Sequence, residues 1–392
     1  MSARCALIGR SFVVIVVVLA AAVLTAEAQP QRPMPPQMRD RMPPGAAQPG
    51  QPPAPGAVKP RLSWIDVHLH LVTGRGSSRP DWGGAVETAI RDMDQFGIAM
   101  ALVMPPPQVE TQPGVYDADA FAGALTRYRG RFASLGGGGT LNSTLHRYAD
   151  PVQVTDGVKR RFATAAEKLI DGGAVGFGEM ASLHVSAASG HPYEFVPADH
   201  PLMLVLADVA AKRDVPIDLH LDAVDAPMPT PAFLAERSSA NPPVLPETLA
   251  ALERLLAHNR KANIVWAHAG SDPIGGMSAA AVGRLMGAHP NLYVSLRIVG
   301  APAPLRNKVL TPTGLDPAWD ALLTRHADRF VIGTDSFMVA PTTRGSGPGT
   351  TFAERNTPKL QATVHFLSLL SPDVARTIGR DNVIRLYKLP VK

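Results

Sequence analysis

The chain has one cysteine, Cys5, in 392 residues, few aromatic residues (6%) and little charge (18%). A single thiol excludes a disulfide framework and any zinc ribbon or iron–sulfur cluster built on cysteine. Little charge beside 45% hydrophobic residues excludes wholesale disorder. A nucleic-acid footprint is missing too. Of the formal net charge of +5, residues 1–28 carry +1 and residues 29–60 carry +3, leaving +1 for residues 61–392. A nearly neutral domain has no cationic stripe for a phosphate backbone, so no nucleic-acid partner is expected. The apolar run near the N-terminus, Phe12 to Leu24, is 13 residues long, short of the roughly 20 that span a bilayer.

Arg4 and Arg10 precede that run, and Ala26-Glu27-Ala28, a small-x-small pattern, follows it. This is the layout of a cleaved secretory signal over residues 1–28. It predicts an exported protein, periplasmic or secreted, with no stable membrane anchor and no thiol after cleavage. Residues 29–60 hold 11 prolines in 32 positions. Proline fixes φ and lacks the amide donor, so this stretch reads as a disordered Pro/Gln-rich linker. Residues 61–392 read as a single catalytic domain.

From Leu62 onward, short runs rich in Val, Ile and Leu alternate with helical patterns. Strands are expected at Trp64–His70, Ala99–Met104, Phe132–Gly137, Ala174–Glu179, Val215–His220, Asn263–His268, Asn291–Leu296 and Arg329–Asp335. Helices are expected at Ala85–Phe96, Gly157–Ile170, His200–Arg213, Leu245–Asn259 and Pro317–Ala327. Strand ends fall 28 to 48 residues apart, the length of one βαβ crossover. The strands alternate little in polarity, as strands covered on both faces do. Eight such units give an α/β fold, a (β/α)8 TIM barrel. A doubly wound sheet would place a Gly-rich phosphate turn after its first strand; His-x-His stands there instead.

Asp66, His68 and His70 alternate through the first strand, which predicts that all three face the barrel interior. Glu179, His220, His268 and Asp335 end the fourth, fifth, sixth and eighth strands. Barrel enzymes build their sites at that end. Imidazole and carboxylate together suit a divalent ion, with zinc the first expectation and manganese or iron(II) the alternatives. Gathering such groups without a cation would leave buried charges uncompensated.

This ordered set, D-x-H-x-H, then Glu, His, His and Asp, resembles the amidohydrolase superfamily. The segment Leu135–Asn142 and the closing Asn382-Val383-Ile384-Arg385-Leu386 resemble its amidohydrolase-related ("amidohydrolase 2") branch. The resemblance spans residues 61–388. It implies a metal-dependent hydrolase, with His68, His70 and Asp335 holding one ion. His220 and His268 would hold a second ion or grip the substrate and its oxyanion. Glu179 matches the position where many relatives carry a carboxylated lysine bridging two metals, so one ion or two are both open. Asp66 is expected to support the strand. The implied chemistry is hydrolysis of a small molecule's amide, ester or lactone. The metal lowers the pKa of water from about 15.7 toward 7, Asp335 accepts the proton, and an imidazole of His220 or His268 stabilises the oxyanion. Relatives also include non-oxidative decarboxylases of aromatic or enol acids, metal-free lactonases, and proteins that form homodimers. A metal-dependent phosphoesterase or nuclease is a further alternative.

Arg297, after the seventh strand, is a candidate clamp for a substrate carboxylate. His184 and His191, in the loop expected after the fourth strand, are candidate pocket residues. His258, His289 and His326 fall near predicted helix C-termini, where an imidazolium suits the dipole. Gly136–Gly139 reads as a tight turn with close backbone approach. The segments Ala223–Pro246 and Val339–Pro358 are candidate lids.

Overall fold

The computed structural model describes residues 62–73, 80–112, 114–300, 304–343 and 356–390. All lie in Ala57–Lys392, the second of two units into which the chain divides. The expected signal and linker fall outside the described residues, as do positions 344–355 of the second lid segment.

Eight parallel strands form the centre. They are β1 (Trp64–Leu71), β2 (Ile98–Val103), β3 in two pieces (Phe132–Ser134 and Gly136–Gly137), β4 (Phe177–His184), β5 (Ile217–Leu221), β6 (Ile264–Ala269), β7 (Leu292–Leu296) and β8 in two pieces (Phe330–Ile332 and Ser336–Met338). The second piece of β8 pairs with β1, β1 with β2, and β2 with the first piece of β3. The second piece of β3 pairs with β4, and pairing runs on through β5, β6 and β7 to the first piece of β8. The two split strands therefore join the sheets into a ring, the closed α/β barrel expected. Backbone bonding continues across the breaks: Leu135 N donates to Val103 O at 3.0 Å, and Asp335 N to His68 O at 2.9 Å.

The strands are apolar on both faces because both are covered. Outward residues Trp64, Leu69 and Leu71 join Ala85, Ala89 and Met93 of the helix Trp82–Phe96 in the outer core. Side-chain caps at Asp81, Thr155, Ser278 and Asp316 start four of the outer helices, each accepting from amides that the first turn leaves unpaired. Inward residues Ile65, Val67, Met100, Leu102, Met104, Leu135, Val265 and Val331 meet Val383, Leu386, Tyr387 and Leu389. The last helix, Asn382–Tyr387, thus plugs one end of the barrel with hydrocarbon and leaves the other end to polar groups.

Three expectations need correction. The fourth strand does not end at Glu179; it runs to His184, because Glu194–Phe195 returns antiparallel to it and extends it past the ring (Leu183 opposite Phe195, His184 opposite Glu194). His184 therefore sits on a strand, not in a loop. The simple alternation of β1 also fails. Ile65 and Val67 point inward and Leu69 and Leu71 outward, and the register shifts between Asp66 and Leu69. This irregularity turns His68 and His70 inward, while Asp66 lies on the other face and accepts from Thr334 N (3.0 Å) and Thr334 Oγ1 (2.5 Å) of β8. The eighth strand is interrupted at Gly333–Asp335, so Asp335 stands in a break rather than at a strand end. The expected lid Ala223–Pro246 holds structure of its own: Met228–Pro229 pairs antiparallel with Val244–Leu245, and Ala232–Arg237 is helical.

The glycine run behaves as a close approach. A Cβ at Gly139 would stand 1.9 Å from Tyr116 O, and one at Gly138 would stand 2.5 Å from Pro105 O. Backbone atoms cannot yield as a flexible side chain can. Gly139→Ala is expected to destabilise the fold by about 3 kcal/mol, read as a lowered midpoint in urea unfolding. Gly123→Ala, inside the helix Asp119–Leu125 where a Cβ would meet nothing within 4 Å, is the control and is expected to raise the midpoint slightly, since alanine is the better helix former.

Candidate metal centre

The polar end of the barrel brings together side chains from β1, β4, β5, β6 and the break in β8. His68 and His70 are fully buried, Glu179 is 3% exposed, and His268 and Asp335 are each 8% exposed. His68 Nε2 lies 3.1 Å from His70 Nε2, and Glu179 Oε2 lies 3.4 and 3.3 Å from the two. Asp335 Oδ1 is 3.3 Å from His70 Nε2. Glu179 Oε1 faces His220 Nδ1 at 2.8 Å and His268 Nε2 at 3.1 Å. Two groups offer three ligand atoms within 4.8 Å of one another: His68, Glu179 and His268, and His68, His70 and Asp335. His220 stands beside both groups, between Glu179 and Asp222, whose Oδ2 is 3.6 Å from His220 Nε2.

Local backbone geometry aims these groups. The register of β4 shifts between Phe177 and Met180, around Glu179, and that of β6 between Trp266 and Ala269, around His268. His268 and Asp335 have φ of 76° and 51°, a region that non-glycine residues seldom occupy and that clusters at functional sites.

The donor set fits a cation. His70 Nδ1 lies 3.0 Å from the carbonyl of Met104, which can only accept, so Nδ1 carries the proton. His68 Nδ1 lies 3.2 Å from the Asp218 carboxylate, with the same consequence. Both Nε2 lone pairs of the neutral rings then point at one spot, beside a carboxylate oxygen. That arrangement is repulsive unless positive charge lies between them. Burial opposes a charged His68, but Asp218 and Glu179 outweigh it and raise its pKa well above the ordinary value. Burial would likewise raise Glu179, yet His68, His220 and His268 hold it well below the carboxylate range. Burial also works against a charged His220, but Asp222 and Glu179 raise it to about 10. For His268 burial prevails over Glu179 and takes it down to about 4. The pocket attracts positive charge strongly, and a divalent ion satisfies the same donors that a proton would.

Arg297 lines the cavity but gives one nitrogen to the site itself, and its buried Nε has no hydrogen-bond partner among the described residues. Its Nη1 pairs with Asp335 Oδ2 at 3.1 Å, and Arg297 leads the groups that overcome burial to hold Asp335 well below the usual carboxylate range. Lys359 Nζ donates to the Asp335 carbonyl. Both fix the aspartate. His184 lines the cavity above the centre, its ring centroid 4.1 Å from that of His220 and 4.7 Å from that of His191. The cavity has a volume of about 980 Å³ and is walled by Trp82, Tyr116, Phe233 and Phe337 among others. His146 lies outside it, with Nε2 3.1 Å from Ala181 O. His258, His289 and His326 stand at helix C-termini as expected, and His258 pairs with Asp208 at 3.1 Å.

Asp218 is the residue that sequence reading passed over. It is fully buried on β5 and orients His68. Its signal was a charged residue inside an apolar strand, two positions before His220 and therefore on the same face.

A barrel with this donor set at its open end is a divalent-metal enzyme scaffold. The profile of the amidohydrolase family (Amidohydro_2) matches residues 65–389, and the chain belongs to that family. No curated protein matches the chain. Solved structures similar to it include a 2,6-dihydroxybenzoate decarboxylase from Rhizobium (16% identity, TM-score 0.47, covering 84% of this chain and 99% of that one). Another is described as a probable 2-pyrone-4,6-dicarboxylic acid hydrolase from Acinetobacter baumannii (13%, 0.46, 83% and 100%). A third is a dihydroxybenzoic acid decarboxylase from Polaromonas sp. JS666 with bound manganese (17%, 0.46, 84% and 98%). Likenesses this distant fix no reaction.

Asp218→Asn keeps the shape but weakens the acceptor behind His68. The expected result is a metal affinity lower by roughly 10–100-fold, measured by competition against a chromophoric chelator, with the far-UV circular dichroism unchanged.

Proposed function

We propose that this protein is a metal-dependent hydrolase that cleaves a C–O or C–N bond of a small molecule, an ester, lactone or amide, with a metal-activated water. The observation that carries the reading is the convergence of His68, His70, Glu179, His268 and Asp335 on shared donor positions at the mouth of an apolar-walled cavity. These five residues would hold the metal, zinc being the first candidate, with His220 closing the ring through Glu179. A bound divalent cation supplies Lewis acidity, which polarises a carbonyl and makes water a stronger acid.

The chain's own groups do the rest. Asp335, held in place by Arg297 and Lys359, takes the proton of the attacking water on its carboxylate and returns it to the leaving group. His220, charged between Glu179 and Asp222, places positive charge beside the developing oxyanion. Trp82, Tyr116, Phe233 and Phe337 pack the substrate body and keep bulk water out. We further take the mature protein to act outside the cytoplasm, as the N-terminal pattern predicts, on a small molecule and not on nucleic acid.

Two measurements test this. Elemental analysis of protein purified without chelator should report close to one or two divalent ions per chain; a metal-free protein that retains full activity would refute the metal role. On a panel of aryl esters, lactones and anilides, Asp335→Asn should lose about a thousandfold or more in kcat while largely keeping the fold, read by far-UV circular dichroism. Carbon dioxide release from aromatic acids, with no hydrolysis on the panel, would instead establish a decarboxylase.

A further inference from the structure

Beyond the metal ligands, one pair of buried groups has no task in the chemistry above. Glu194, on the short antiparallel strand, is 2% exposed and stands directly opposite His184 in the pairing with β4. Its Oε2 accepts from Asn142 Nδ2 at 2.8 Å. Its Oε1 is buried and has no hydrogen-bond partner among the described residues, and neither does His184 Nδ1. These two orphan atoms lie 4.0 Å apart. A buried carboxylate oxygen and a buried ring nitrogen are both costly to leave unmade, and each is the nearest charged or polar side-chain partner the structure gives the other.

His184 is also the cavity ring whose nitrogens have no other engagement. His220 and His268 are turned on Glu179, and His191 Nδ1 lies 2.9 Å from Pro192 O. The His184 ring lines the cavity, and Nδ1 is the nitrogen buried in the protein, so Nε2 is the one left to the cavity. Burial, reinforced by His220 and His191, keeps the ring neutral. A neutral imidazole carries one proton, and the partner of the buried nitrogen decides which nitrogen holds it.

We propose that Glu194 is a positioning residue that holds His184 in its Nδ1–H tautomer, so that His184 presents the Nε2 lone pair to the cavity as the acceptor for a hydroxyl or N–H group of the substrate. An acceptor aimed into the cavity selects substrates that bring a donor of their own. The antiparallel return that lengthens β4 past the ring sets Glu194 opposite His184. The catalytic consequence rests on the hydrolase reading; the tautomer does not.

The orientation of Asn142 makes the test sharp. Asn142 Oδ1 accepts from Ala181 N at 2.9 Å, so its amide nitrogen is fixed toward position 194. In Glu194→Gln the new carbonyl oxygen takes that donor, and the new NH2 faces His184 Nδ1 and donates to it. The exchange is nearly isosteric, yet it forces the opposite tautomer.

The experiment is a long-range 1H–15N correlation spectrum of the zinc-loaded full chain labelled with 15N-histidine. It is run at pH 8.5 so that Glu194, raised by burial to about 7, is ionised, and His184 is assigned by its loss in His184→Gln. The expected result is Nδ1–H in the wild type and Nε2–H in Glu194→Gln. On a hydrolysed panel substrate that carries a hydroxyl or N–H, kcat/KM should fall by roughly tenfold or more, and it should change little on a substrate without such a donor. An Nε2–H ring in the wild type overturns the proposal, and that measurement needs no variant to fold. The same tautomer in both proteins, or a switch with kcat/KM intact on the donor-bearing substrate, also overturns it. A tautomer switch in a chain that hydrolyses nothing on the panel counts against the hydrolase reading and leaves the Glu194–His184 pairing standing.

Discussion

The site depends on one electrostatic constraint: imidazole lone pairs and carboxylates are packed together where water cannot separate them. His68 Nε2 and His70 Nε2 approach to 3.1 Å with Glu179 Oε2 beside both. In water such groups would drift apart or titrate independently. At the open end of the barrel they are held by the strands that carry them, and only positive charge makes the arrangement favourable. The surrounding structure serves this centre. Asp218 and the Met104 carbonyl fix the two tautomers, Arg297 and Lys359 hold Asp335, and Asp66 ties β1 to the break in β8 through Thr334. Removing any one of these loosens a donor rather than deleting it, so their effects should appear first in metal affinity and only then in stability.

The barrel divides its labour along its axis. The end plugged by the last helix is hydrocarbon, with Ile65, Val67, Leu102 and Val331 against Leu386 and Tyr387. That end supplies burial energy without chemistry. The open end carries the irregularities: shifted registers at His68, Glu179 and His268, and left-handed backbone at His268 and Asp335. Strain of this kind persists because the ring of strands over-determines the backbone on both sides. An open sheet with free edges would relax it.

Above the metal donors, the cavity combines aromatic walls with a few polar groups, most of them already engaged with one another. Arg297 is paired, His220 is held between two carboxylates, and His268 leans on Glu179. The polar atoms left for a substrate are therefore few, and substrate choice falls to how those few are oriented. The short strand at Glu194–Phe195 and the structured segment from Met228 to Leu245 add to the open end of a common barrel what its ring of strands lacks.

The amino-acid sequence by itself determined the alternation of elements, the strand-borne histidines and acids, and the family they resemble. Strand hydrophobicity and the residue type at each strand's polar end are local properties. It also located five of the helices to within a few residues, because capping residues and amphipathic spacing act within single turns, while setting no bounds for Thr140–Arg147 and Ala279–Ala288. Only the tertiary structure decided which way the donors face. Asp66 left the interior because a bulge changed the parity of β1, Arg297 turned to Asp335, and Asp218 and Glu194 proved to be the groups behind His68 and His184. Asp218 lies 150 positions from His68 and Arg297 lies tens of positions from Asp335, so no window of sequence joins either pair. Glu194 is close to His184 in the chain, but that the two stand opposite each other depends on the register of the antiparallel return.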